Sequence, residues 1–89
     1  MAEIDVRVRK EGIAYIADVT VKQWALTAHR VRVSLAELDR YGGGDVADLV
    51  RRSFEFLLAR EPNTSILRDF SLSTIERYFP EYGTEIRGA

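Results

Sequence analysis

The sequence predicts an α+β domain: a three-stranded antiparallel meander, followed by and packed against one long helix and two or three short ones. Two observations carry this. From Ile4 to Ser34 apolar residues recur with a period of two, and from about Leu35 onward the period lengthens toward that of helices. A chain of 89 residues, 46% apolar and 30% charged, has the composition and size of one domain, with strands in 1–34 and helices in 35–89.

The first strand is read from Ile4, Val6 and Val8 alternating with Asp5, Arg7 and Arg9, an apolar face backed by a wet one. Lys10-Glu11-Gly12 supplies the turn, with Gly12 free to take a positive φ. Ile13, Tyr15, Ala17, Val19 and Val21 then share one face of a long second strand. The alternation breaks around Trp24, and a third run from Leu26 to Val33 places His29, Val31 and Val33 on one face and Arg30 and Arg32 on the other. Short connections make the three an antiparallel meander with one apolar face to cover.

Ser34-Leu35-Ala36-Glu37 fits a capping box and predicts a short helix to about Tyr41, stopped by Gly42-Gly43-Gly44. Asp45 is placed to cap the strongest helix, Val46 to about Arg60. Its apolar arc holds Val46, Leu49, Val50, Ser53, Phe54, Phe56, Leu57 and Leu58; opposite lie Asp48, Arg51, Arg52 and Glu55, spaced for Asp48–Arg52 and Arg51–Glu55 pairs. Glu61-Pro62 ends it, because a residue before proline is pushed out of the α region. Thr64 or Ser65 is expected to start a turn carrying Ile66, Leu67 and Phe70. Ser71 or Ser73, the latter with Glu76 three residues on, is expected to cap a last helix with Leu72, Ile75, Tyr78 and Phe79 inward, stopped by Pro80.

Val50 through Tyr82, VRRSFEFLLAREPNTSILRDFSLSTIERYFPEY, resembles the C-terminal part of a group of small uncharacterised bacterial proteins. That resemblance implies no activity, cofactor or catalytic residue. The stretch from His29 to Glu61 resembles, in element order, a ribbon-helix-helix DNA-binding protein. In that family a strand from each subunit pairs into a ribbon whose outward side chains enter the major groove, so the resemblance implies Arg30, Arg32 and Ser34 as base readers. Against it stand a first helix of only about seven residues, Asp45 and Asp48 at the second helix N-terminus, and two extra strands before the ribbon. The plainer reading makes Arg30 and Arg32 the solvated face of a strand beside Asp18 or Asp5.

Composition narrows the function further. Thirteen basic and fourteen acidic residues give a net charge of −1 and remove any global argument for a polyanion partner; residues 1–34 carry six basic and four acidic groups, the remainder seven and ten. Without cysteine there is no disulfide framework and no thiolate nucleophile or ligand, and a single histidine leaves no multi-histidine metal site. The acidic start does not read as a signal peptide, and no apolar run approaches the roughly 18 residues of a membrane span, so the expectation is a cytoplasmic protein without a membrane partner. Gly42-Gly43-Gly44-Asp45 lacks the Gly-Lys-Ser/Thr ending of a phosphate loop, and Asp45 would fill the anion site itself. His29 lies in phase with Val31 and Val33 and is read as a hydrogen-bonded core residue, and Ser53 as bonding back to the Leu49 carbonyl. No catalytic constellation, metal site or cofactor site is read. The expected role is a non-catalytic interaction module with a protein partner or a second copy of itself. Its candidate interface residues are Trp24, Tyr78, Phe79 and Tyr82, aromatics that bury large rigid surfaces at little entropic cost. The plainer reading closes the core with Tyr78 and Phe79 and caps the sheet edge with Trp24.

Overall fold

The computed structural model describes residues 2–87. The order is β1 (Glu3–Glu11), β2 (Ala14–Lys22), β3 (Leu26–Val33), α1 (Leu35–Arg40), α2 (Val46–Leu58), a 3₁₀ turn (Asn63–Ser65), β4 (Asp69–Ser71), α3 (Thr74–Tyr78) and α4 (Tyr82–Arg87). The meander forms as expected, with β1–β2 and β2–β3 antiparallel. Glu11 pairs with Ala14 across a two-residue loop in which only Gly12 has positive φ, at +63°. That is the type II′ geometry, whose twist suits a hairpin.

The sheet has a fourth strand that the three-stranded expectation lacks. β4 runs parallel to β3 and makes the order β1-β2-β3-β4. It is held by the Arg30 N–H donating to the Arg68 carbonyl at 2.8 Å and the Leu72 N–H donating to the Arg32 carbonyl at 3.0 Å. The expected turn carrying Phe70 is therefore wrong. The chain leaves Asn63–Ser65 extended at Ile66, and Phe70 points into the core from a strand.

The N-caps predicted at Ser34 and Asp45 form. Ser34 Oγ accepts from the Glu37 N–H at 3.1 Å while Glu37 Oε1 accepts from the Ser34 N–H at 2.9 Å, and Asp45 Oδ1 accepts from the Ala47 N–H at 3.0 Å. The buried face of α2 is the predicted arc, with Leu58 only half-buried at its end. α2 lies over β1 and β2, so Leu49, Val50, Phe54 and Leu57 meet Val19, Val21, Val31 and Phe70 in one core. Each such side chain contributes about 1.5–3 kcal/mol by leaving water.

Three local expectations fail for tertiary reasons. Arg52 pairs with Asp48 at 2.9 Å, but Arg51 does not pair with Glu55 and instead donates to the Ile4 carbonyl of β1 at 2.6 Å. Ser73 makes no side-chain cap for α3, because its backbone is helical (φ −64°, ψ −15°) and not extended as a cap requires; Glu37 Oε2 accepts its N–H at 2.7 Å in place of Glu76, which turns to Arg40 and Tyr41. Tyr78, expected inward, is 68% exposed at the last position of the five-residue α3, whose buried residue is Ile75. Beyond Pro80, α4 packs on α2: Arg52 donates to the Ile86 carbonyl at 2.7 Å, and Arg60 bridges Glu81 and Glu85. Among the described residues no helix is long and apolar enough to cross a membrane.

Candidate functional site

The chain between α2 and α3 builds a cleft. α2 ends at Leu58, Pro62 is extended and opens the 3₁₀ turn that redirects the chain, and the Ile66–Leu67 segment leads into β4, after which α3 folds back toward the end of α2. The space left between them is a cleft of about 200 Å³, floored by Leu57, Ile66, Phe70, Ile75 and Phe79. Tyr78 and Leu67, both exposed, stand at its mouth. Glu61 supplies the carboxylate on its wall, and partial burial pushes the Glu61 pKa up. The lining is mostly apolar with few polar groups, the usual character of a binding pocket, but the volume falls below the about 300–1,000 Å³ of small-molecule and cofactor sites. It matches one inserted side chain better than a cofactor.

Beside the cleft runs a buried polar chain. His29 Nδ1 lies 2.7 Å from the Leu67 carbonyl, and Nε2 lies 2.8 Å from Thr27 Oγ1. A carbonyl only accepts, so Nδ1 carries the proton and Nε2 accepts from the Thr27 hydroxyl. Thr27 Oγ1 in turn accepts from Asn63 Nδ2 at 3.0 Å, and Asn63 also donates to the Ala25 and Val21 carbonyls. With every member satisfied, this is a structural network. Burial is the main cause holding the His29 pKa below its ordinary value; the nearby Arg68 charge adds to it, and the Leu67 hydrogen bond opposes it.

The outer sheet face carries charges in cross-strand rows. Arg7, Asp18, Arg30 and Asp69 stand side by side across all four strands, with alternating sign. Asp18 receives Arg9 and Arg30, each at 3.3 Å, and Arg32 pairs with Asp69. Burial alone would raise the Asp18 pKa; the two arginines outweigh it and hold it low. Asp18 is thus the neighbour of Arg30, while the partner of Arg32 is a residue of the unforeseen strand.

The predicted site residues therefore scatter. Phe79 and Tyr78 converge on the cleft, while Trp24 stands fully exposed at the β2–β3 turn and caps nothing. Tyr82, expected at an interface, is fully buried: its hydroxyl lies 2.7 Å from Ser53 Oγ and its ring meets Tyr41 and Phe56 edge-on. Ser34, a base reader under the ribbon reading, is spent capping α1. Arg30 and Arg32 are exposed, but their strand is hydrogen-bonded on both sides, by β2 and β4, leaving no free edge there for a ribbon. Glu61, Ile66, Leu67 and Phe70 were not anticipated as one site. The Glu61-Pro62 break and the turn expected at Thr64 or Ser65 marked the bend in the chain, but not the cleft it builds. The chain matches no family model, no curated protein and no solved structure.

Proposed function

We propose that this protein is a non-catalytic binding module whose cleft seats one apolar side chain of a protein partner, with Glu61 selecting a neighbouring cation. The observation that carries the reading is the apolar cleft between Leu57, Phe70 and Phe79, with large hydrophobic side chains left exposed at its mouth. Exposed apolar rims around a pocket mark interaction sites more often than isolated surface residues do. The test is chemical-shift mapping with short peptides containing phenylalanine followed by lysine or by glutamate. The lysine peptide should perturb Leu67, Phe70 and Tyr78. Leu67→Ser with Tyr78→Ala should abolish this, and Glu61→Gln should remove the preference over the glutamate peptide. Turnover of a substrate, lost on replacing a single polar side chain, would overturn the non-catalytic reading.

Duplex DNA reached through Arg30 and Arg32 is the alternative partner. The paired carboxylates Asp18 and Asp69 on that face weigh against it, since phosphates would have to displace them. Salt-sensitive duplex binding that disappears in Arg30→Ala/Arg32→Ala would favour the alternative.

A further inference from the structure

β3 has lost its outer edge to β4, but β1 remains an edge strand of nine residues with an unbroken register against β2, no bulge and no proline. The hairpin fixes which of its backbone groups are free. Residues flanking a two-residue loop form a hydrogen-bonded pair, so Glu11, Arg9, Arg7, Asp5 and Glu3 bond to β2, and Ile4, Val6, Val8 and Lys10 turn their N–H and C=O groups outward. The Arg51 contact agrees, because it reaches the Ile4 carbonyl from outside the sheet. Among the described residues no other hydrogen bond to the outward groups of Val6, Val8 or Lys10 is present. An open edge of this kind is a template for another strand.

The sequence of β1 says which strand. The geometry points to a second copy of β1, paired antiparallel about a two-fold axis at Val6. In that register Asp5 faces Arg7 of the other copy, Glu3 faces Arg9, and each pair occurs twice by symmetry. These are non-hydrogen-bonded positions, where side chains come closest. On the inner face Ile4 meets Val8, and Val6 meets Val6, covering apolar residues that β1 leaves half-exposed. Neighbouring registers fail. An axis at Asp5 sets Asp5 against itself, and one at Arg7 sets Arg7 against itself and Glu3 against Glu11. Like charges directly opposed across strands destabilise, so the charge order Glu, Asp, Arg, Arg selects the Val6 axis.

The Val6 register supplies roughly six backbone hydrogen bonds from three hydrogen-bonded pairs and joins two four-stranded sheets into one, with the helices of both copies on the same side. Asp5 and Arg7, now paired to each other within the strand at 3.2 Å and both largely exposed, are free to re-pair across the axis. The Ile4 carbonyl has a second lone pair, so Arg51 need not leave. This surface lies apart from the cleft, and neither proposal depends on the other.

Sedimentation of the intact protein tests it. The wild type is expected to reach twice its 10.1 kDa chain mass at tens to hundreds of micromolar. Arg7→Asp opposes two pairs of carboxylates and should weaken the dimer about tenfold or more, and Asp5→Arg/Arg7→Asp, which restores the pairs with signs exchanged, should recover it. The chain has no cysteine, so single cysteines report the register. Val6→Cys should form a disulfide-linked dimer on mild oxidation, since Cα atoms of a hydrogen-bonded pair lie about 5.5 Å apart. Val8→Cys should not, because the two copies would be about 13 Å apart along the strand. A wild type that stays monomeric at 200 µM, a dimer indifferent to Arg7→Asp, no rescue by the exchanged pair in a variant with native circular dichroism, or cross-linking through Val8→Cys in place of Val6→Cys would overturn the proposal.

Discussion

Glu37 Oε2 accepts the backbone N–H of Ser73 at 2.7 Å while its other oxygen closes the capping box on Ser34 at 2.9 Å. A local cap thereby ties the start of α1 to the start of α3. Burial pushes the Glu37 pKa up, but the two N–H donors and the serine hydroxyls outweigh it and hold the pKa below 4.5.

Glu37→Ala opens the capping box, leaving only the Ser34 Oγ bond to the backbone N–H of residue 37, and strands the Ser34 and Ser73 N–H groups; it should cost about 2 kcal/mol in urea unfolding at pH 7. Because the folded pKa is depressed, the contribution of Glu37 is present above its unfolded pKa and is lost as pH falls through the folded one. Glu37→Gln should therefore flatten the acid side of the stability profile below about pH 4.5.

His29 gives a second pH dependence. Its folded pKa is lowered, so between that value and 6.5 the unfolded chain binds more protons and stability falls as pH drops. The chain has no other histidine, so the decline on going from pH 7.5 to 5.5 should largely vanish in His29→Gln, measured against its own lower baseline. A proton on Nε2 would also turn the Thr27 hydroxyl away from its acceptor.

Tyr41 acts at the other extreme. Burial and the hydrogen bond it donates to Glu76 at 2.8 Å raise its pKa from 10 to about 12. Its contribution is complete below pH 10 and is lost as pH rises toward 12, so Tyr41→Phe should lose stability at pH 8 yet decline less between pH 10 and 12.

Two aromatics near the ends of the burial range should separate cleanly. Tyr82→Ala leaves a cavity among Tyr41, Phe56 and Ser53 and should cost about 3–5 kcal/mol, whereas Trp24→Ser should stay within about 0.5 kcal/mol. Iodide should quench the Trp24 fluorescence of the native protein as readily as that of the unfolded chain.

Features that depend on residues a few positions apart were legible in the sequence: the alternation of β1 to β3, the Gly12 turn, the Ser34–Glu37 box, the Asp45 cap and the buried arc of α2. Each is set by the two- or 3.6-residue repeat of one element or by a side chain reaching its own backbone. The rest depends on contacts between elements far apart in the chain. β4 is three residues long and carries no alternation to recognise; it is a strand because α1 and α2 return Asp69–Ser71 to the open edge of β3. The packing of the helices likewise spends Ser73 on Glu37 and Arg51 on Ile4, buries Tyr82 and leaves Tyr78 outside. Whether an aromatic becomes core or surface depends on the space its neighbours leave, and β4, α3 and α4 fix that space only once they have packed. The cleft is a product of that packing. The charge order of β1 was written in the sequence from the start, but that β1 is the long open edge of the sheet, once β4 covers part of β3, is shown only by the tertiary structure.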